Sequence, residues 1–317
     1  MLRVDFLDML TDIVKQHFQI TYRTELLQDP KLHGPEIQAM FTRSCCPTVD
    51  SSLLSLLPSL KVVSNGGAGV DHLDVPFITG QGVKVTNTPG AVSGSAADVA
   101  MLLLLASARK IVESLKTAEV PTAAILPERL RGVEVTGSTL GIIGMGEIGY
   151  KIAQRSKGFV MTILYHNRTR RSVEEERVGG ATFCESLDDL LRRSDFVVIA
   201  VGLAPDTRGL ISHRELSRMK PGATLVNISR GQVVDHDALV KALQSGTIRA
   251  AALDVTHPKP LPRGHPLLGL RSVLITPHIG GNTYAAINRM SQTMLENALA
   301  AVTSLPVPNE VKSRRLN

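Results

Sequence analysis

The spacing of three glycines constrains the fold of this chain more than any other feature. Gly144, Gly146 and Gly149 follow a short apolar segment, residues 140–143, and precede a segment with helical spacing, residues 150–155. The first glycine permits a tight turn, the second leaves the backbone open to a close neighbour, and the third lets a helix approach a strand. The motif therefore predicts a strand–turn–helix unit that opens a parallel sheet.

Apolar and helical segments alternate through the middle of the chain. Short β-rich runs occupy residues 140–143, 162–166, 195–201, 224–229, 250–255 and 273–276. Helical patterns between them include residues 187–193, 213–219 and 237–243. Because continuous apolar strands separated by helices are typical of parallel sheets covered on both faces, we predict an α/β fold for this region.

The flanking regions predict a second, smaller α/β domain. Strands are expected at residues 61–64 and 83–86, and long helices at residues 96–115 and 284–302. Turn residues before the first long helix predict a domain crossing there. The closing helix is expected to pack back on the first domain, leaving a cleft between the two domains. Residues 1–4 are too short for a strand ahead of a helix-like segment, residues 6–17, so we expect a shortened N-terminus.

Composition excludes several classes of protein. The three cysteines, Cys45, Cys46 and Cys184, lack the spacing of a zinc site or a disulfide framework, which predicts no metal and a reducing, cytoplasmic compartment. Apolar runs fall short of the roughly 20 residues that cross a bilayer, so no membrane partner is expected. The net charge of +6 comes from local clusters at residues 168–171, 192–193 and 312–315, and aromatic residues make up 3% of the chain. These features predict no nucleic-acid partner.

The glycine motif indicates a dinucleotide site because of its position between a strand and a helix. A helix that begins at Glu147 and Ile148 would offer its first N–H groups to a diphosphate, with Gly144, Gly146 and Gly149 lining the turn. The alternative is a turn that serves the fold alone. We therefore predict that this domain binds a nicotinamide dinucleotide.

The residues after the second strand favour NADP(H) over NAD(H). An acidic residue at this point would bind the ribose hydroxyls of NAD, but the chain has Asn167, Arg168, Thr169, Arg170 and Arg171 instead. Guanidinium groups bind phosphate through paired, charge-assisted hydrogen bonds, so Arg168 and Arg170 are predicted ligands of the 2′-phosphate. NAD(H) stays possible, and the alternative reading of these arginines is a solvated basic loop.

Five blocks of sequence, taken together, resemble the D-isomer-specific 2-hydroxyacid dehydrogenases. They are residues 67–71 (GAGVD), 83–89 (VKVTNTP), 141–146 (GIIGMG), 227–231 (NISRG) and 276–280 (TPHIG). The chain looks most similar to the glyoxylate/hydroxypyruvate reductase and 2-ketogluconate reductase branch. The resemblance implies two doubly wound parallel-sheet domains, with a Rossmann NAD(P)-binding domain (93–284) inserted in a flavodoxin-like substrate domain (1–92 and 285–317). It also implies a homodimer.

The resemblance assigns roles to particular residues. Arg230 corresponds to the family arginine that binds the substrate carboxylate and carbonyl, and His278 to the proton donor. Ala68 and Gly69 match the loop whose N–H groups hold the carboxylate. Contacts with the cofactor are implied for Thr207, Ser229, Arg230, Asp254, His278 and Gly280. Taken singly, these residues have ordinary alternatives: Arg230 as a surface ion pair, His278 as a buried core histidine and Asp254 as a strand-end cap.

Lys259 departs from the family pattern, because the family has glutamate at this position and pairs it with the histidine. A carboxylate beside an imidazole favours the charged, proton-donating form, whereas an ammonium disfavours that form and cannot accept its N–H. Damage to such a pair removes roughly a hundredfold or more of rate. We therefore expect the catalytic set to be incomplete at Lys259, with weak or absent activity.

Two functions follow from these observations. The first is an NADP(H)-dependent reductase that converts a 2-keto acid, such as glyoxylate, hydroxypyruvate or a 2-keto sugar acid, to the D-2-hydroxy acid. The second is a cofactor-sensing binding protein without catalytic turnover, similar to the corepressors called C-terminal binding proteins. Lys259 is the main support for the second function.

Overall fold

A computed structural model describes residues 10–43, 47–118 and 128–312 of the chain. The chain divides into two compact units. The discontinuous unit comprises Met1–Val92 and Gly281–Asn317, and the central unit comprises Ser93–Gly280. The chain thus returns to the discontinuous unit after Gly280, whereas the sequence placed this crossing after residue 284.

The discontinuous unit contains a parallel sheet of three described strands in the order β1-β2-β3. The strands are β1 (Ala39–Thr42), β2 (Val62–Asn65) and β3 (Lys84–Thr86). The helices are α1, described over residues 10–14, α2 (Arg23–Gln28), α3 (Pro30–His33), α4 (Ser51–Ser55), α5 (Val75–Gly80) and α13 (Tyr284–Val302). Several begin at an aspartate whose carboxylate accepts a first-turn amide, including Asp50 for α4 and Asp74 for α5.

Helix α13 packs on the sheet of the discontinuous unit, and its bounds agree with the predicted helix, residues 284–302. The Ser64 hydroxyl on β2 donates to the carbonyl of Met294 (2.9 Å), and the Asn297 side chain donates to the carbonyl of Asn87 (3.0 Å). The sequence failed to predict β1, which is short and lacks a clear apolar alternation. Residues 1–9, Cys45 and Cys46, and the basic residues after Lys312 lie outside the described residues.

The described strands of the central unit form one seven-stranded parallel sheet. They are β4 (Thr139–Ile143), β5 (Thr162–His166), β6 (Ala181–Phe183), β7 (Phe196–Ile199), β8 (Thr224–Asn227), β9 (Ala250–Leu253) and β10 (Val273–Ile275). Their order is β10-β9-β8-β7-β4-β5-β6. The order of strands reverses at β4, which is where open α/β sheets bind ligands. The predicted α/β fold is confirmed, with β6 as a short edge strand that the sequence missed.

Helices cover both faces of the central sheet, which explains its nearly continuous burial. They are α6 (Ser93–Ala108), α7 (Ile111–Ala118), α8 (Glu147–Ser156), α9 (Val173–Gly179), α10 (Leu187–Arg193), α11 (His213–Arg218) and α12 (His236–Gln244). Helix α6 buries Ala97, Ala100, Leu103 and Leu104 completely. No helix among the described residues is long and apolar enough to cross a membrane.

The single long helix predicted at residues 96–115 is wrong, because α6 ends at Ala108 and α7 begins at Ile111. The carbonyl of Ala108 accepts the N–H of Val133 (2.9 Å), a residue of another segment. Lys110 adopts a left-handed backbone conformation (φ 50°), and its ammonium donates to the carbonyl of Arg129 (2.7 Å). The break between α6 and α7 therefore coincides with a hydrogen bond from a distant segment, which the local sequence pattern does not reveal.

A charged network joins β5 to α9. The Tyr165 hydroxyl donates to Glu176 (2.6 Å), and the Arg170 guanidinium donates to the same carboxylate through two N–H groups (both 2.8 Å). These bonds lower the pKa of Glu176 to about 2, and the bond from Arg170 is the larger cause. Burial, with Glu176 as a second cause, raises the pKa of Tyr165 to about 12. The network holds the segment after β5 against the helix that follows it.

Replacing Glu176 by glutamine should lower the free energy of unfolding by about 1–2 kcal/mol at pH 7, because charge-assisted bonds to Arg170 and Tyr165 are weakened. The folded-state pKa lies below the unfolded value of about 4.3, so this stabilisation is complete above that value. It disappears as the pH falls toward 2. Urea unfolding of the wild type and Glu176→Gln at pH values from 7 down to 3 measures the difference.

The matched control for this substitution is Glu174→Gln. Glu174 forms an exposed pair with Arg177 three residues along the same helix, and it should contribute less than about 0.5 kcal/mol. A difference between wild type and Glu176→Gln that stays constant down to pH 3, or equals that of the control, would contradict the role of the network.

Candidate functional site

The turn after β4 can be built only with glycine at two of its positions. Gly144 has φ +95°, and a Cβ there would overlap the backbone of Ala200 and the side chain of Val201. A Cβ at Gly149 would overlap the carbonyl of Gly144. The predicted roles in tight turning and in close approach of helix and strand therefore belong to Gly144 and Gly149.

Helix α8 begins at this turn with an N-terminus that lacks a side-chain cap. Its N-cap residue is Gly146, and a Cβ there would meet nothing within 4 Å. The first-turn amides, including those of Glu147 and Ile148, have no acceptor within the helix. Open space above uncapped amides and the positive end of a helix dipole suits a diphosphate, so this cradle fits a dinucleotide.

Arg171 ties the glycine turn to the segment that follows β5. Its Nε donates to the carbonyl of Met145 (2.7 Å), its Nη1 contacts Glu175 (2.6 Å), and its guanidinium lies over the Tyr150 ring (5.7 Å to the centroid). Sequence reasoning assigned no specific role to Arg171. Its place in a basic run between β5 and α9 was the available signal.

The two arginines predicted to bind a 2′-phosphate differ in their contacts. Arg170 forms a salt bridge with Glu176 (2.8 Å), and its guanidinium lies over the Phe183 ring (5.5 Å to the centroid). Arg168 is 70% exposed, and its Nη1 lies 3.5 Å from the carboxylate of Asp206. The Asn167 side chain donates to the carbonyl of Thr169 (2.8 Å), which shapes this loop. Arg168 therefore has a looser ion pair than Arg170.

The basic cluster at Arg192 and Arg193 lies on α10 beside acidic residues of the same helix. Arg193 contacts Asp189 at 2.7 Å, and Arg192 lies 4.0 Å from Asp188. These i,i+4 pairs offset the positive charge of the cluster locally.

Thr207 closes the loop that follows β7. Its hydroxyl donates to the carbonyl of Gly202 (2.7 Å) and accepts the N–H of Ala204 (2.8 Å). The same loop carries Asp206, the partner of Arg168. Thr207, predicted to contact the cofactor, thus has an internal role in holding this loop.

Asn227 organises the turn that presents Arg230 after β8. Its Oδ1 accepts the N–H and the hydroxyl of Ser229 (3.0 and 2.7 Å), and its Nδ2 donates to the carbonyl of Arg230 (3.0 Å). The Arg230 Nη1 donates to the carbonyl of Ser229 (2.9 Å). A Cβ at Gly231 would overlap the backbone of Thr256 and His257, so the loop bearing Lys259 lies directly against this turn. Sequence reasoning quoted Asn227 in a motif but gave it no role.

Asp254 holds the segment that carries His278. The carboxylate is 2% exposed and lies at the end of β9. It accepts the Thr276 hydroxyl (2.7 Å) and the N–H groups of Ile279 and Gly280 (both 2.8 Å). These bonds bracket His278, whose backbone is left-handed (φ 64°). Asp254 is therefore positioned to fix the backbone of the histidine.

Lys259 contacts His278 directly. The Lys259 Nζ lies 3.1 Å from the Nδ1 of His278, and both side chains are exposed. Both residues lie beyond the carboxyl ends of neighbouring parallel strands, β9 and β10, and Arg230 follows the next strand, β8. The structure thus brings Arg230, Asp254, Lys259 and His278 to the same edge of the central sheet.

Ala68 and Gly69 lie in the discontinuous unit, in the loop after β2, and the carbonyls of Gly67, Ala68 and Gly69 accept side-chain hydrogen bonds. Asn65 Nδ2 donates to the carbonyls of Gly67 and Gly69 (3.2 and 3.0 Å), and Asn87 Nδ2 donates to that of Ala68 (2.8 Å). Among the described residues, no acceptor takes the N–H of Ala68 or Gly69. Tethered carbonyls with available amides form a backbone arrangement suited to an anion.

The described residues contain no group of three or more histidine, cysteine or acidic side chains that could hold a metal ion. Cys184 is buried and free, and burial raises the pKa of its thiol. Such a thiol is a poor nucleophile at neutral pH.

Several known proteins are similar to this chain over most of its length. Residues 101–280 match the family model described as D-isomer specific 2-hydroxyacid dehydrogenase, NAD binding domain. The glyoxylate reductase of Thermococcus gammatolerans is 39% identical over 298 residues, which cover 91% of this chain and 88% of that protein. The glyoxylate reductase of Pyrococcus horikoshii is 42% identical over 270 residues, 84% and 80% of the two chains.

Solved structures of similar fold include two reductases. A glyoxylate reductase from Paecilomyes thermophila has a TM-score of 0.81 and 31% identity, covering 95% of this chain and 94% of that chain. The NADPH-dependent glyoxylate/hydroxypyruvate reductase from Sinorhizobium meliloti, solved with NADP and malonate, has a TM-score of 0.85 and 28% identity, covering 96% and 93%. This chain belongs to the D-isomer specific 2-hydroxyacid dehydrogenase family, and its central unit is the NAD-binding domain of that family.

Proposed function

We propose that this protein is an NADP(H)-dependent reductase of small 2-keto acids, with glyoxylate, hydroxypyruvate or a 2-keto sugar acid as substrate and the D-2-hydroxy acid as product. The observation that carries the proposal is the presence of Arg230 and His278 at the sheet edge reached by β8, β9 and β10. Relatives named glyoxylate reductase support the choice of substrate class.

The proposed reaction divides the work between the cofactor and the chain. When bound, the cofactor supplies a hydride to C2 of the keto acid. Arg230 stabilises the negative charge that develops on the carbonyl oxygen, because its guanidinium is a fixed cation. His278 donates a proton to the same oxygen. Asp254 keeps the segment of His278 in place through its bonds to Ile279 and Gly280.

The backbone of the discontinuous unit is proposed to bind the substrate carboxylate. The amides of Ala68 and Gly69 are available for this task because Asn65 and Asn87 hold the carbonyls of the loop. Backbone N–H groups in such a turn bind a carboxylate without any side chain that could obstruct it. Asn65 and Asn87 then act as supports of the anion site.

The cofactor is proposed to lie on the cradle formed by Gly144, Gly146 and the first turn of α8, with its 2′-phosphate near the loop after β5. Arg168 is the stronger ligand for this phosphate, because its pair with Asp206 is long and exposed. Arg170 contributes less, since two of its N–H groups already donate to Glu176. Thr207 contributes by holding the loop that carries Asp206.

A second candidate function is a binding protein that senses the cofactor without turnover. The contact between Lys259 and His278 favours it, because an ammonium at Nδ1 disfavours the imidazolium that usually donates a proton. The cradle and the arginine loop would serve such a protein equally well. The two functions differ only in turnover.

The proposed homodimer uses the apolar surface of α6 and α7. Leu102 (53% exposed), Ile111 (43%), Val112 (44%) and Leu115 (59%) lie on these neighbouring helices. Exposed apolar side chains grouped in this way mark interaction surfaces. A second copy of the chain is the proposed partner.

His278→Asn should lower kcat for glyoxylate or hydroxypyruvate reduction by at least about a hundredfold, because the general acid is lost while the backbone is kept. The dissociation constant of NADPH should change less than twofold. Steady-state oxidation of NADPH and calorimetry measure the two quantities. If the wild type and Lys259→Glu both bind NADPH but turn over neither keto acid, the sensing function is correct.

Arg168→Ala should weaken NADPH binding by about tenfold and leave NADH binding nearly unchanged, because one charge-assisted bond to the 2′-phosphate is lost. Arg170→Ala should have a smaller effect on NADPH. Calorimetric titration with both cofactors measures the change, with Arg192→Ala on α10 as the control. Equal affinity of the wild type for NADPH and NADH would exclude the proposed preference.

In solution the protein should have about twice the 34.1 kDa mass of the chain. Leu115→Glu should shift the mass measured by light scattering toward that of one chain, because burying a carboxylate at an apolar interface is costly. Val173→Glu is the control, since Val173 is 77% exposed on α9 and lies outside the proposed surface. A monomeric wild type at micromolar concentration would refute the dimer.

A further inference from the structure

The direction of the hydrogen bond between Lys259 and His278 determines where the histidine carries its proton. The Lys259 ammonium has three donors and no acceptor. At 3.1 Å it must therefore donate to Nδ1 of His278, which then carries a lone pair. The ring proton of His278 lies on Nε2. This is the tautomer opposite to the one that a carboxylate partner at Nδ1 would select.

We propose that Lys259 stores the proton used in the reaction and that His278 relays it, so that the pair is a working acid rather than a damaged one. The inference rests on the proposed reductase function. Lys259 acts through His278, so it is a positioning and proton-supplying residue. The imidazole is the group that donates to the substrate.

The backbone on both sides of the pair is held in place, although the two side chains are exposed. Asp254 binds the residues around His278, through Thr276, Ile279 and Gly280. On the other side, Thr256 and His257 precede Lys259 by three and two residues. Their backbone lies against Gly231. The contact at Nδ1 is thus made between two anchored segments rather than between two loose loops.

Other charged and titratable groups lie on the elements around the pair. Asp254 directs both carboxylate oxygens at the segment of His278, and Arg230 follows β8. His257 precedes Lys259 in the same loop. Beneath this loop, His236 and His265 have ring centroids 6.0 Å apart, and burial lowers the pKa of His236. The proposal rests on the Lys259 ammonium, whose Nζ lies 3.1 Å from Nδ1 of the His278 ring.

The proposed step balances in protons and electrons. C2 of the keto acid gains a hydride from the reduced nicotinamide cofactor, and the carbonyl π electrons move to oxygen. The oxygen takes the Nε2 proton of His278 as Nδ1 takes a proton from Lys259 Nζ. The histidine stays neutral with its proton moved to Nδ1, and Lys259 is left as an amine. The starting state returns when Nε2 takes a proton from water and Nδ1 passes its proton back to the Lys259 amine.

This arrangement changes how the rate depends on pH. An ordinary imidazolium loses its proton near pH 6.5 and an ordinary lysine ammonium near pH 10.4. Moving the stored proton from a lysine to a histidine should therefore move the alkaline fall of the rate to lower pH. Because the ammonium is the weaker acid, proton transfer at neutral pH is slower.

Three variants at position 259 separate the possible roles. Lys259→Glu should raise kcat for keto-acid reduction at pH 6 by about tenfold and move the alkaline fall of kcat down by more than one pH unit. Lys259→Arg keeps the charge and the N–H donor but holds its proton too tightly to release it. It should lower kcat by about tenfold or more across the pH range. Lys259→Met removes both the donor and the proton.

Nitrogen NMR of the His278 ring in the purified protein tests the tautomer without turnover. The wild type and Lys259→Arg should show a proton on Nε2 and a lone pair on Nδ1 from pH 6 to 9. Lys259→Glu should show an imidazolium near pH 6. An imidazolium or an Nδ1 proton in the wild type at pH 7 would overturn the proposal.

Kinetics test the relay itself. If Lys259→Arg retains full kcat, or if kcat of the wild type falls with an apparent pKa near 7 that Lys259→Glu leaves unchanged, the lysine does not supply the proton. If all variants lack turnover while the NMR result holds, the reductase function fails and the relay with it, yet the tautomer set by Lys259 stands. The two failures are therefore distinguishable.

Discussion

The parallel arrangement of the central sheet is the constraint on which the site depends. Because all seven described strands run in one direction, the segments after β4, β8, β9 and β10 emerge at one edge. The glycine turn and the groups around His278 are distant in sequence, but the sheet places both of them at the same edge. Most strand residues are buried and apolar, and the groups proposed to bind and react lie in the segments that follow the strands.

Burial separates the supports of the site from the groups proposed to bind and react. Asp254 is 2% exposed, and its carboxylate accepts three hydrogen bonds from one short segment. The side chains of Lys259, His278 and Arg168 are exposed. A buried carboxylate needs several hydrogen bonds to offset its desolvation, and those bonds fix the backbone that supplies them. The exposed side chains proposed to bind and react then project from backbone that is held in place.

The sequence predicts the parts of the structure that depend on local chemistry. The glycine turn, strand β5 and helices α10 and α13 agree with the predicted ranges, because apolar periodicity, capping residues and glycine spacing are local signals. The break after Ala108 could not be predicted, since the hydrogen bond from Val133 comes from a distant segment. The supporting roles of Asn65, Asn87 and Asn227 were equally invisible, because an amide side chain gives no sign of the carbonyl it will reach. The pairing of Arg170 with Glu176 also needed coordinates, because a basic run does not show which of its members already has a partner.

A change at Lys259 leaves the rest of the molecule intact because binding and proton transfer use different kinds of group. The proposed cradle for the diphosphate and the proposed carboxylate loop at Ala68 and Gly69 are made of backbone amides, whose geometry depends on glycines and on Asn65 and Asn87. The proposed proton transfer depends on two exposed side chains, Lys259 and His278, that no strand or helix needs for its packing. Glutamate can therefore be exchanged for lysine without loss of fold, and the contact at Nδ1 reverses its direction instead of disappearing. A histidine with an anchored backbone keeps a donor on Nε2 with either partner, because a carboxylate favours the imidazolium and an ammonium selects the neutral ring with its proton on Nε2. The identity of the partner then decides which residue stores the proton.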